Sequence, residues 1–198
     1  MLISRLEHVY GISGSALSWF SSYLQDRTQK VKIQKVHSNP VPLVFGVPQG
    51  SVLGPVLFVL YMSPLCDIIV NHSVVPHSYA DDSQLQKSTK SLINLPKEID
   101  EQTRINEIND LTNSMQMCVH DVKSWMNFDK LKLNDGKSEV LSIASPRMYV
   151  SAPFSLPDLL VLGCSNVPVS KSARNLGVGI DSNLSMKTMS PQSYAVKF

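Results

Sequence analysis

The sequence predicts an α+β fold in which an antiparallel sheet, centred on an acidic hairpin, carries helices on one face. Two β-type runs flank Asp81 and Asp82, a pattern typical of a hairpin with an acidic tip. Apolar residues recur at spacings of three and four over 101–125, which predicts a long helix with one apolar stripe. Lysines alternate with valine and isoleucine over 28–36, which predicts a half-buried strand.

Length and composition fit one large globular domain or one and a half small ones. The 198 residues are 43% hydrophobic and carry a net charge of +2. This excludes wholesale disorder and is compatible with nucleic-acid binding without indicating it. The cysteines are far apart and show no zinc-ligand spacing with histidine, so we predict a reduced, intracellular chain with buried thiols. No signal peptide is recognisable at the N-terminus.

The first predicted elements are a helix and a strand. Ser13 or Ser15 is placed to cap a helix with one buried face. Its apolar residues are Ala16, Leu17, Phe20, Tyr23 and Leu24, and Trp19 extends that face. The lysines of the strand at 28–36 are compatible with phosphate contacts, although a solvated outer face is the simpler explanation. A turn and an extended run, punctuated by prolines, follow over 37–51.

A second helix is predicted after Ser51, which is placed as its N-cap. Pro55 fits the first turn, and Pro64 should end or kink the helix. A membrane span needs about twenty apolar residues, and the uninterrupted run here is shorter, so we predict a buried core helix and no membrane partner. Its apolar residues surround the helix almost completely, which implies full burial: Val52, Leu53, Val56, Leu57, Leu60 and Tyr61.

The later elements follow the acidic hairpin. A polar loop is predicted over 88–104, overlapping the start of the long helix at about residue 101. The helix stripe comprises Ile105, Ile108, Leu111, Met115, Cys118, Val122 and Trp125. A turn at 134–136 then leads into a strand at 139–143. Short strands and prolines are predicted over 151–170, and an extended run with glycines over 173–186.

Adjacent aspartates in a turn do not define a site by themselves, because Asp is a favoured turn residue. Three further segments accompany them: "FGVPQGSVLGPVLFVLYMSPL" upstream, and "WMNFDKLKLNDGKSEVLSI" and "ARNLGVGID" downstream. In this order, and with "YADD" at the hairpin, they resemble the reverse transcriptase of non-LTR, LINE-type retrotransposons. The resemblance runs from about residue 4 to residue 186.

The resemblance implies an incomplete palm of the right-hand polymerase type. The family carries its first catalytic aspartate on a strand before the region where this chain starts, and its fingers lie further upstream. We therefore expect 1–186 to be a partial reverse transcriptase domain that lacks the fingers, that strand and the thumb. Residues 187–198 depart from the family and are expected to form a divergent tail.

The resemblance also implies roles for individual residues. Asp81 is the implied main metal ligand, Asp82 assists or positions, and Lys137 is the candidate general acid for the leaving pyrophosphate. Tyr79 packs beneath the pair, towards the primer end. The implied nucleotide and template loop is Gly46, Pro48, Gln49, Gly50 and Ser51, and the implied primer grip is Leu176, Gly177 and Val178. A strand-to-helix turn, a turn lysine and edge packing are the structural alternatives.

Cofactors and partners follow from the same resemblance. The intact family uses two Mg²⁺ ions, which require hard oxygen ligands such as aspartate, and we expect at most weak Mg²⁺ binding here. The implied partners are an RNA template, a DNA primer and dNTPs. A nuclear or cytoplasmic location fits the family. Three hypotheses stand: a truncated RNA-directed DNA polymerase domain that is inactive alone, a non-catalytic nucleic-acid-binding remnant, and an unstable relic.

Overall fold

A computed structural model describes residues 1–46, 50–88, 101–143, 159–162, 165–182 and 184. The chain forms two compact units. The first comprises Met1–Val70 and Pro76–Leu85, and the second comprises Asn71–Val75 and Gln86–Phe198. The predicted boundary at residue 186 and the tail at 187–198 lie outside the described residues, as does most of the predicted polar loop.

The helices of the first unit are α1 (Leu2–His8), α2 (Gly14–Leu24), α3 (Gly54–Met62) and α4 (Pro64–Asn71). Helix α1 contacts both α2 and α3, and it buries Leu6 completely. Arg5 Nη1 donates to the Tyr61 carbonyl oxygen at 2.6 Å, and the guanidinium lies 4.8 Å from the Tyr61 ring centroid. Tyr10 donates its hydroxyl to Ser63 Oγ at 2.5 Å. Polar contacts from the middle of α1 and from the residues just after it therefore supplement its apolar contacts.

Helix α2 confirms the helix predicted over 13–24 but not the fully buried face, because none of its residues is fully buried and Ala16 is exposed. It begins directly after Ser13, whose backbone is extended as an N-cap requires, although the Ser13 side chain makes no capping hydrogen bond. Leu17, Phe20 and the other large apolar side chains on the predicted face are half-buried. Trp19 differs from the prediction, because its side chain is 52% exposed.

The apolar segment at 52–70 forms two helices, and much of it is exposed. The break between α3 and α4 falls at Ser63, directly before Pro64, which confirms the predicted effect of that proline. Ser51 is not the N-cap that was predicted, because α3 begins at Gly54 with Leu53 as its N-cap. The predicted full burial is also wrong, because Val52 is 91% exposed. A helix buries only the faces that have a partner, so only Leu57 of α3 is fully buried.

Gly54–Asn71 is also the segment that, among the described residues, is long and apolar enough to cross a membrane. Length and composition are its only support, and core helices of water-soluble proteins share both properties. The interruption at Ser63 divides the segment into two shorter helices.

The lysine-rich segment forms short, exposed strand pairs. Strand β1 (Thr28–Gln29) pairs with β4 (Val41–Pro42), and β2 (Lys32–Ile33) pairs with β3 (Val36–His37), both antiparallel. The prediction of one half-buried strand is wrong, since Ile33 is 72% exposed. A turn at Gln34, whose φ is +55°, folds the chain back, and the Val31 and Ile33 side chains remain mostly exposed.

The acidic hairpin is confirmed. Strands β5 (Val75–Tyr79) and β6 (Asp82–Gln86) pair with each other and are joined by Ala80 and Asp81. The prediction of a wider sheet centred on this hairpin is wrong, because among the described strands the two form a sheet of their own. Pro76 lies within β5 and has no N–H to donate, and proline within a strand is confined to sheet edges.

The second unit contains the long helix α5 (Glu101–Phe128). It begins where predicted and continues three residues beyond the predicted end. The stripe becomes more buried towards the C-terminal half, because Ile105 is exposed whereas Cys118 and Val122 are buried. Val74 is buried in the same unit.

Short strands follow α5. Asp135–Lys137 forms the predicted turn as one turn of 3₁₀ helix, and β7 (Val140–Leu141) is shorter than the strand predicted at 139–143. Strand β9 (Ser165–Ser170) pairs antiparallel with β8 (Leu159–Leu162) and parallel with β7. Strands β10 (Ser172–Asn175) and β11 (Val178–Asp181) form an antiparallel hairpin. The mixture of helices and small, mostly antiparallel strand pairs confirms the α+β class.

The two described cysteines differ in exposure. Cys66 lies exposed on α4, so the prediction of buried thiols is wrong there, and it is confirmed for Cys118 on α5. Burial raises the pKa of the Cys118 thiol, and the Asp121 carboxylate raises it further, while Lys87 partly offsets the rise.

We expect iodoacetamide to modify Cys66 at least about tenfold faster than Cys118 in the folded protein, because the thiolate is the reactive form. A raised pKa lowers the thiolate fraction of Cys118 at neutral pH, and burial blocks access to it. Mass spectrometry of a Cys164→Ser variant, sampled over time, measures both rates. In urea the two rates should converge, and equal rates without urea would contradict the described burial.

Candidate active site at the acidic hairpin

The tip of the β5–β6 hairpin presents the paired aspartates to solvent. Asp81 is the second residue of the turn, and Asp82 is the first residue of β6. Both are exposed, and Tyr79, the last residue of β5, is 70% exposed beside them. The Ser78 and Ser83 hydroxyl oxygens lie 3.2 Å apart, within hydrogen-bonding distance across the strands. The structure therefore brings together three of the residues predicted for the site.

The turn that joins β5 to β6 has a left-handed residue at its first position. Ala80 has a φ of +54°, in the left-handed region, which costs a residue with a Cβ about 1 kcal/mol or more. Asn, Asp and Gly occupy such turns more readily. A two-residue hairpin turn requires this conformation at its first position, so the φ of Ala80 follows from the geometry of the turn.

The aspartate pair fits part of a divalent-metal site. Carboxylate oxygens are the ligands that Mg²⁺ prefers, and two like charges side by side favour a cation between them. Within the described ranges, no group of three or more His, Cys, Asp or Glu residues is placed to hold a metal ion. The tip itself thus supplies two carboxylates, on Asp81 and Asp82, for coordination.

The loop predicted to contact nucleotide and template also lies in the first unit, and Pro48 and Gln49 of it are outside the described residues. Gly46 and Gly50 have φ values of +83° and +80°. A Cβ added at either position would meet no atom within 4 Å. A Cβ would therefore fit at both positions, and the left-handed backbone conformation is what favours glycine there. Ser51 Oγ is buried without a hydrogen-bond partner among the residues described.

Arg27 holds the start of this loop, and sequence reasoning missed it. Its Nη2 donates to the Gly46 carbonyl oxygen at 2.5 Å, and its Nε donates to the Leu24 carbonyl oxygen at 3.0 Å. One guanidinium thus joins the end of α2 to the loop. The contact joins a side chain to a backbone group nineteen residues away, and no pattern of residue types reveals such a contact.

The remaining predicted residues lie in the second unit. Lys137 ends the 3₁₀ turn, is exposed, and donates its backbone N–H to the Asn134 carbonyl oxygen at 3.0 Å. Leu176 and Gly177 form the β10–β11 turn with φ values of +46° and +87°. Leu176 is exposed at that turn, and Val178 begins β11. The structure therefore brings the three primer-grip candidates together.

An α+β chain that presents paired carboxylates on a hairpin tip has the local architecture of a polymerase palm. Residues 4–180 match the family described as reverse transcriptase (RNA-dependent DNA polymerase). The chain belongs to this reverse transcriptase family.

Two relatives come from Drosophila melanogaster. The chain is 28% identical over 172 residues to the probable RNA-directed DNA polymerase from transposon BS, covering 82% of this chain and 16% of that protein. It is 35% identical over 78 residues to the RNA-directed DNA polymerase from mobile element jockey, covering 36% of this chain and 8% of that protein. The chain thus spans less than a fifth of the length of these curated relatives. No solved structure matches it significantly.

These matches confirm the predicted resemblance to a LINE-type reverse transcriptase. Most of the chain is a reverse transcriptase domain of a retrotransposon. Reverse transcriptases generally use divalent metal ions, and membership of the family implies a nucleic-acid template and primer and nucleotide substrates.

Proposed function

We propose that this chain carries the catalytic hairpin of an RNA-directed DNA polymerase, with Asp81 as the main ligand of Mg²⁺ and Asp82 assisting it. One observation carries the proposal: two adjacent carboxylates project into solvent from a two-residue turn, inside the region that belongs to the reverse transcriptase family. A solvated surface turn does not need two adjacent like charges, which repel each other.

The metal would supply charge neutralisation at the reacting phosphorus and activation of the primer 3′-hydroxyl. The protein's part is to present hard oxygen ligands on a rigid mount that leaves room for substrate. Mg²⁺ held by one or two carboxylates normally depends on substrate phosphates for the rest of its coordination. Asp81 and Asp82 alone are therefore expected to bind Mg²⁺ weakly.

The other candidate residues take positions around the substrate in this proposal. Gly46 and Gly50 offer backbone without a Cβ to a base pair, together with Pro48, Gln49 and Ser51. Tyr79 lies towards the primer end. Lys137 donates a proton to the leaving pyrophosphate, and a lysine at an exposed turn is free to reach a phosphate. Leu176, Gly177 and Val178 contact the primer strand through the β10–β11 turn.

We also propose that the 198-residue chain has negligible polymerase activity by itself. Two metals require more ligands than the two carboxylates that the described part of the chain places together. Further carboxylates, and surfaces that hold template and primer, would come from additional polypeptide.

A second candidate function is nucleic-acid binding without catalysis, and helix α2 favours it. Trp19 is exposed, and its ring stacks on Tyr23 with centroids 5.4 Å apart and an interplanar angle of 10°. Exposed aromatic rings are platforms on which bases of single strands stack. Such binding would need neither Asp81 nor Asp82.

Primer extension tests the proposal. The chain alone, given a labelled DNA primer on an RNA template with dNTPs and Mg²⁺, is expected to show no extension. A fusion that places this chain between the preceding and following segments of the transposon BS polymerase is expected to extend the primer, and Asp81→Asn in that fusion should abolish extension. Asp67→Asn, a change at an exposed aspartate on α4, is the matched control.

Two outcomes would contradict the proposal. Extension that survives Asp81→Asn in the fusion would exclude the hairpin as the metal site. Robust templated synthesis by the isolated chain would exclude the proposed inactivity. Single-strand binding that is unchanged by Asp81→Asn, falls steeply with salt and is accompanied by no synthesis in the fusion would favour the second candidate function.

A further inference from the structure

The open end of the hairpin is closed by a side chain. His72 precedes β5 and Lys87 follows β6, and both belong to the second unit. Lys87 Nζ donates to the His72 carbonyl oxygen at 2.9 Å. A charged donor on a neutral carbonyl makes one of the stronger hydrogen bonds in proteins. The chain entering the hairpin is therefore tied directly to the chain leaving it.

Helix α5 contacts both His72 and Lys87. Ser114 Oγ donates to the same His72 carbonyl oxygen at 2.9 Å and accepts from Lys87 Nζ at 2.5 Å. His72 Nε2 lies 2.9 Å from Asp121 Oδ2. A carboxylate only accepts, so Nε2 carries the hydrogen. Ser114 and Asp121 lie seven residues apart on one face of α5, with the buried Cys118 between them.

These contacts are partly shielded from water. The His72 side chain is 16% exposed, whereas that of Asp121 is 52% exposed. Lys87 and Ser114 are half-buried. Loss of the Lys87 ammonium would remove a partly shielded, charge-assisted hydrogen bond, while Ser114 would still donate to the His72 carbonyl oxygen.

The two-residue turn sets the register at the tip, but side-chain packing along the strands adds little to it. Its strands are exposed at nearly every position, and β6 carries polar residues on both faces. Two-stranded ribbons are marginal alone, and register is weakly specified in strands that are polar on both faces. A slip of one residue would turn Asp82 to the opposite face, away from its present relation to Asp81.

We propose that His72 and Lys87, held by Ser114 and Asp121, are positioning residues that keep β5 and β6 in register and so set the direction in which Asp82 projects beside Asp81. The link to metal binding rests on the proposed function, whereas the control of register does not.

Lys87→Met tests the inference, with Lys87→Arg as the conservative variant that restores a charged donor. Lys87→Met is expected to raise amide hydrogen-exchange rates in β5 and β6 by about tenfold. It should also weaken the cross-strand nuclear Overhauser contact between Ser78 and Ser83, which reports register. Lys87→Arg should restore both. His120→Leu, at an exposed position of α5 next to Asp121, should change neither.

Titration with Mn²⁺ measures the affinity of the hairpin tip for metal, which a change in the stability of the folded protein alone would not alter. The apparent Kd at the tip should rise as the in-register fraction falls, about threefold if a third of the hairpins keep the register. If α5 amides also lose protection in Lys87→Met, that variant has unfolded. Asp121→Leu, which removes only the partner of the His72 ring, then replaces it. It should likewise speed exchange in β5 and β6, weaken the Ser78–Ser83 contact and raise the Kd.

The outcomes separate this inference from the proposed function. An unchanged Ser78–Ser83 contact in a folded Lys87→Met or Asp121→Leu variant would overturn the inference. Loss of the Ser78–Ser83 contact with an unchanged Kd for Mn²⁺ would also overturn it, because His72 and Lys87 would then not direct Asp82. If the wild-type tip binds no Mn²⁺, the proposed metal site fails, and the register readout still decides whether His72 and Lys87 position the hairpin.

Discussion

Replacing Asp81 and Asp82 together by asparagine is expected to abolish Mn²⁺ binding by the protein. Asparagine keeps the size of the side chain and one oxygen ligand but removes the negative charge. Each lost charge should weaken binding by about tenfold at low ionic strength, because the attraction of a divalent ion is Coulombic. Asp81→Asn alone should cause a larger loss than Asp82→Asn, since Asp81 is the proposed main ligand. Electron paramagnetic resonance of free Mn²⁺ measures the Kd.

The matched control is Asp26→Asn, at another exposed aspartate of the first unit, just after α2. Asparagine tolerates the positive φ of Asp26, so the fold should be undisturbed. This control should leave Mn²⁺ binding unchanged, and added salt should weaken the wild-type interaction. Binding that persists in the Asp81→Asn, Asp82→Asn double variant would place the metal elsewhere.

Replacing Leu6 by alanine is expected to destabilise the protein by about 3 kcal/mol, within the range measured for buried leucines. Leu6 is fully buried where α1 contacts α2 and α3, so the change leaves a cavity and removes apolar contacts. The loss is a large fraction of the stability of a typical domain. Urea unfolding followed by circular dichroism measures it as a lower transition midpoint.

Val52→Ala is the matched control for the core variant. Val52 is an apolar residue of the same unit but is almost fully exposed, so its truncation should change the free energy of unfolding by less than about 0.5 kcal/mol. A Leu6→Ala effect no larger than that of Val52→Ala would mean that α1 does not pack as described.

Local sequence signals predicted the elements that depend on neighbours in the chain. The hairpin was predictable because two β-type runs flank a short turn, and α5 because its apolar stripe recurs over many turns. The break at Pro64 follows from the covalent structure of proline. The sequence did not predict that Val52 would be exposed or that the lysine-rich segment would fold into small hairpins. Burial depends on which surfaces meet, and composition does not contain that information.

The sequence by itself determined the family of this protein and supplied the residues predicted to carry its chemistry. "GVPQGSVLGP" and "YADD" place it among LINE-type reverse transcriptases, and adjacent aspartates at a turn are chemically suited to a metal. Only the tertiary structure decided how those residues are held. Arg27 on the Gly46 carbonyl, and Lys87 on the His72 carbonyl, are contacts between side chains and distant backbone groups. Backbone carbonyls are the same in every residue, so no sequence pattern marks such contacts before the chain is folded.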